Sequence, residues 1–138
     1  LATAPSKSRP LSPHLGIYKW GPHMLVSILH RATGDGMALI GTVLTIWWLA
    51  AAAGGEASYN AFIDLFTLDS GAFNVVGYIV GIGLTLSFFQ HLASGIRHFV
   101  LDTGAGYELK TNKSWAIVTI VFSILATAAF WAFLIWGK

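Results

Sequence analysis

Three long apolar runs organise this chain of 138 residues. They cover roughly residues 25–53, 73–101 and 115–136, and the purely apolar part of the first starts at Met37. A helix needs about 20 apolar residues to cross about 30 Å of hydrocarbon, and each run is long enough. Barrel strands would instead alternate over about ten residues, whereas these runs are continuously apolar. The pattern predicts an all-α integral membrane protein with three transmembrane helices, in which a three-helix domain (25–138) follows an N-terminal segment (1–24). Trp115 and Trp136 flank the third run as interfacial aromatics do. Between the first two runs, "NAFIDLFTL" suits either a short interfacial helix or an ordinary loop.

Composition sharpens this picture. The chain is 55% hydrophobic and only 10% charged, against about 25% charged in soluble domains. A net charge of +2 is too small and too scattered for nucleic acid. With no cysteine, disulfides, iron–sulfur ligation and thiolate metal sites within the chain are excluded. The opening "LATAPSKSRP" has no apolar core and does not read as a secretory signal. It fits the mature end of a processed precursor or part of a longer tail.

Lys7, Arg9 and Lys19 precede the first run, and Arg31 lies near its mouth. The first loop, 54–72, carries Glu56, Asp64 and Asp69 but no Lys or Arg; the second has Lys110 and Lys113, and only Lys138 follows the third run. The positive-inside rule puts the N-terminus and second loop on the cytoplasmic or matrix side and the C-terminus opposite. Gly77 and Gly81 form a small-xxx-small pattern, read as helix packing.

Polar residues interrupt the apolar runs at two places. At about 100° per residue, His91, Gly95, His98 and Asp102 fall on one stripe of the second helix, extended outward by Leu84 and Ser87. Arg97 falls on another face. Polar side chains within a span face a bundle interior or mark function. His98, Arg97 and Asp102 lie close enough to the inner end to snorkel. His91, about 15 Å from that end by helix rise, does not. Its imidazole can hydrogen-bond another helix, relay protons or ligate a haem iron. In the last case Gly95 leaves room for a flat macrocycle and His98 can donate to a propionate.

On the first helix Ser27, His30, Arg31 and Gly34 are spaced i, i+3, i+4, i+7 and share a face. A hydroxyl beside a guanidinium suits a small polar group such as a carbonyl oxygen or carboxylate; a membrane-anchoring arginine with a capping serine is the plainer alternative. An antiparallel arrangement brings this end beside His98 and Asp102. His30 is expected to lie too shallow to meet His91 across one iron, and His98 is about 10 Å along the same helix. A six-coordinate haem on His91 would therefore take its second ligand from another polypeptide. Three helices also bury few positions, so the polar stripe implies further helices from a partner. A b cytochrome that only relays electrons and a proton-coupled transporter with His91 as relay remain rival readings.

"RPLSPHLGIYKW", "SILHRATG" and "HLASGIRHFVLD", in that order, resemble the cytochrome b membrane-anchor subunits of succinate dehydrogenase (succinate:quinone oxidoreductase, respiratory complex II). Leu101 departs from the pattern, where an aromatic residue or methionine is expected. The resemblance implies one subunit of a four-subunit complex, in which a flavoprotein subunit oxidises succinate and an iron–sulfur subunit relays the electrons. It implies haem b on His91, with the other axial ligand from a second small membrane-anchor subunit. It places ubiquinone at Ser27 and Arg31, and His30, Arg31 and His98 on the propionate side. Asp102 and Arg97 are candidate proton or charge partners, and the N-terminal segment would contact the hydrophilic subunits. No catalytic residue is assigned, because electrons pass through the chain to quinone and the chain alone is not expected to turn over. A bacterial inner (cytoplasmic) membrane or a mitochondrial inner membrane is implied. The cytochrome b of a quinol:fumarate reductase is the alternative.

Overall fold

Pro22 opens the first helix, where a fixed φ suits the first turn and no N–H is missed. The computed structural model describes residues 19–137. Residues 1–18, which hold most of the segment expected to touch hydrophilic subunits, and Lys138 lie outside the described residues. Helix α1 (Pro22–Gly36), a π-helical turn (Met37–Gly41) and α2 (Thr42–Ala53) run on as a single span of 32 residues. Gly55 ends it at φ 88°, a left-handed conformation that a side chain would resist. The short helix α3 (Glu56–Asp64) follows, so the "NAFIDLFTL" stretch begins as helix and not as loop.

An antiparallel bridge between Thr67 and Phe73 closes the connection to the second span. There Asn74 caps α4 (Val75–Asp102): its Oδ1 accepts from the Gly77 N–H at 2.9 Å. Its Nδ2 donates to the Leu65 carbonyl at 2.9 Å, tying the cap to the end of α3. Helix α5 (Leu109–Trp136) begins six residues before the third apolar run. Hydropathy marks only the lipid-facing share of a helix, so Lys110 and Lys113 sit on the first turns of α5 and not in a loop.

Helix α4 packs on both α1 and α5, and α1 also touches α5. The interior is largely polar or small. Gln90, Ser94 and Arg97 of α4 and Thr119, Ser123 and Thr127 of α5 are buried, beside Val26, Ala116 and Trp131. Leu39, Ile79, Phe99 and Phe133 point outward. Lipid tails are as apolar as leucine, so close packing and hydrogen bonds hold such helices together. The Ser123 hydroxyl lies 2.8 Å from Gln90 Oε1 across the α4–α5 seam. Gly81 serves the packing expected of it: a Cβ there would lie 2.7 Å from the Trp131 ring.

Candidate functional site

The seam between α1 and α4 holds three imidazoles. His91 Nδ1 lies 2.9 Å from the backbone carbonyl of His30. A carbonyl only accepts, so His91 carries its proton on Nδ1 and keeps the lone pair on Nε2. The Thr33 hydroxyl stands 3.4 Å from the same Nδ1 and bonds the Leu29 carbonyl at 2.6 Å. The rings of His30 and His91 stack 4.0 Å apart at 10°, and His98 tilts against His30 at 5.0 Å and 52°. An open groove of about 370 Å³ runs past His30, His91, Gly95, His98, Phe99 and Asp102.

The stacked pair corrects the expectation that His30 is too shallow to reach His91. That estimate read the first span from residue 25, with its apolar part only from Met37, and so counted His30 near the inner mouth. With α1 beginning at Pro22, His30 lies two turns inside and stands level with His91. The pair still cannot sandwich one iron, because rings in face contact leave no space between them. No group of three His, Asp or Glu side chains among the described residues could hold a bare metal ion. What His91 keeps is its unprotonated Nε2. Its lone pair points along the plane of the His91 ring, clear of the face that His30 covers.

Ser27 and Arg31 come together as their spacing suggests. The Arg31 guanidinium folds back on its own helix, with Nε 3.3 Å from the Ser27 carbonyl and a terminal nitrogen 3.4 Å from the Ser27 hydroxyl. Arg31 is exposed and Ser27 half-buried. Neither lines the histidine groove, although Ser27 is one helical turn from His30. Asp102 does line that groove. Arg97 does not: it is 6% exposed and turned toward α5, where it donates to Asn112 Oδ1. Arg97 and Asp102 therefore form no ion pair, and Asp102 pairs with neither arginine among the described residues.

Three residues of the site escaped the sequence pattern. Gly34 was legible as a member of the Ser27 face, but not its contact: a Cβ there would lie 2.7 Å from His91 Cε1. Thr33 backs His91 from α1. Ser94, fully buried, stands 2.7 Å from His30 Nδ1. The available signal was a serine one turn beyond His91 inside a membrane span.

Residues 5–130 match the model of the succinate dehydrogenase/fumarate reductase transmembrane subunits. The chain belongs to this family. Among its relatives is the succinate dehydrogenase cytochrome b556 subunit of Paracoccus denitrificans, 30% identical over 91% of this chain and 95% of the relative. The protein of the same description from Rickettsia felis is 32% identical over 89% and 90%. The mitochondrial cytochrome b560 subunit of Mus musculus is 33% identical over 88% of this chain and 69% of its own length. Membership accords with three helices long and apolar enough to cross a membrane. The stacked histidines and the Ser27–Arg31 pair thus lie in a family of membrane subunits of a respiratory dehydrogenase.

Proposed function

We propose that this chain is the cytochrome b membrane anchor of a succinate dehydrogenase, with haem b on His91 and ubiquinone at Ser27 and Arg31. One observation carries the haem assignment. The bond from His91 Nδ1 to the His30 carbonyl leaves the lone pair on Nε2, the usual outer-shell arrangement behind a ligating histidine, and His91 lines an open groove. The groove fits one side of the group. Gly95 presents no side chain there, and His98 and Asp102 supply polar contacts at the end where propionates would lie.

When bound, haem b supplies a one-electron store between the iron–sulfur subunit and the quinone. The residues of this chain bind, orient and charge-stabilise. Ser27 offers a hydroxyl to a quinone carbonyl and helps to position the head group. Arg31 sets a fixed positive charge beside the oxygen that becomes negative on reduction, where poor hydration raises its effect. Protons reach that oxygen from the nearby inner aqueous face. The N-terminus and the α4–α5 loop lie on the cytoplasmic or matrix side, following the lysines and arginines. A second small anchor subunit would cover the groove and supply the other haem ligand, and the iron–sulfur and flavoprotein subunits would dock on the inner face.

The test is co-expression with and without the other subunits. A low-spin b-type band should appear only in the assembled complex, and His91→Leu should abolish or alter it. An assembled, succinate-oxidising complex whose haem spectrum and potential are unchanged by His91→Leu refutes the assignment.

A further inference from the structure

Ser94 is the most deeply placed polar side chain of the α1–α4 seam: 0% of it is exposed. It does not reach the groove. Its Oγ lies 2.6 Å from the Gln90 carbonyl, the usual back-bond of a helical serine. A hydroxyl has one proton. With that proton committed to its own helix, Oγ meets His30 Nδ1 at 2.7 Å as an acceptor. His30 is therefore protonated on Nδ1, and its ring is pinned to α4.

His30 in turn holds His91 twice. Its backbone carbonyl takes the Nδ1 proton of His91 at 2.9 Å. Its ring covers one face of the His91 imidazole at 4.0 Å and 10°. The carbonyl fixes the tautomer, and the ring face fixes the plane. The carbonyl belongs to α1 and stays whatever the His30 side chain does. The ring face stays only while something holds that side chain in place. The terminal torsion of histidine is broad, and the hydrogen bond to Ser94 is the one that holds the His30 ring among the described residues.

We propose that Ser94 is a positioning residue that fixes the plane of the His91 imidazole by clamping His30. The inference rests on the haem reading above and adds the element that controls the orientation of the ligand. The plane of an axial imidazole decides which iron d orbital it overlaps. Ser94 thereby sets the g-value spread of the ferric haem and contributes to its potential, without touching the cofactor.

The experiment uses the complete complex purified in mild detergent. Ser94→Ala should keep assembly and haem, while the low-spin ferric EPR signal shifts and broadens as the His91 ring loses its wall. Haem transfer to excess apomyoglobin should become about tenfold easier, the lower end for loss of an outer-shell partner. A serine that merely packs α4 would not move the EPR signal. In a His30→Phe background, which keeps the flat ring and the carbonyl but not Nδ1, Ser94→Ala should add no further shift. Unchanged EPR in Ser94→Ala overturns the proposal, as does an equal shift in both backgrounds. Ser94→Cys, close in size and a poor acceptor, should give the same shift; an unaltered signal there also overturns it. A wild-type complex without haem would instead refute the haem reading itself.

Discussion

Gly34→Ala tests the histidine seam with one carbon atom. A Cβ on residue 34 would lie 2.7 Å from His91 Cε1 and 3.2 Å from Nδ1. Ordinary contact begins near 3.4 Å, so the ring must retreat from α1 by roughly 0.7 Å, toward the limit of a useful hydrogen bond to the His30 carbonyl. Overpacking of this kind costs about 1–3 kcal/mol. Replacing a helical glycine by alanine returns about 1 kcal/mol, so the net penalty reaches about 2 kcal/mol at the upper end, or up to about thirtyfold in an equilibrium. Gly36→Ala and Gly83→Ala are the controls, because nothing lies within 4 Å of a Cβ at either position. They gain the same helix propensity without the contact. The assay is haem content and rate of haem loss of the complex in detergent. Gly34→Ala should lose haem markedly faster than wild type while both controls hold it. Wild-type retention and spectrum in Gly34→Ala would refute the claim that His91 is wedged against α1.

Two other changes probe separate parts of the molecule. Arg31→Ala should lower quinone reduction about ten- to hundredfold, the worth of a hydrogen bond to a charged group, while succinate oxidation with an artificial acceptor survives; equal loss of both activities counts against a quinone role. Asn112→Ala should destabilise the complex more than Arg97→Leu. The first strands a buried guanidinium at about 1–3 kcal/mol, whereas the second removes charge and partner demand together; thermal denaturation in the reverse order would show that the arginine does more than tie α4 to α5.

Much of this was legible in the sequence because membrane hydropathy is a one-dimensional signal. The three spans follow from it, and so does the bond between Arg31 and Ser27, since residues four apart on a helix are neighbours whatever surrounds them. Rotation about α4 also separated Arg97 from the histidine stripe, and it is indeed turned toward α5. Relations between helices were harder. The first span was read from residue 25, close to the observed Pro22, but the level of His30 against His91 depends on how α1 and α4 pack. The π-helical turn at Met37–Gly41 has no hydropathy signature. It changes the rotation between α1 and α2, so the face read for Ser27 and His30 cannot be carried forward along the span. The Ser94–His30 and Gly34–His91 contacts need relative helix level, which a single sequence does not contain.

The uneven distribution of polarity around α4 explains why the seam asks for a partner. Toward α5, Gln90 and Arg97 are buried and bonded to Ser123 and Asn112. Toward α1, two of the three imidazoles have a proton matched by an oxygen, His30 by the Ser94 hydroxyl and His91 by the His30 carbonyl. The remaining side carries Leu92, Ile96 and Phe99, all exposed, around a groove that His91 and Asp102 also line. An unpaired imidazole nitrogen inside a span is expensive, and α5 does not line this groove. On the proposed haem reading, an iron atom would satisfy the His91 lone pair and a flat apolar ring would cover the aliphatic side chains, with one face still left to lipid. On the same reading, a second polypeptide with its own ligand would close that face, so stable haem binding would require assembly.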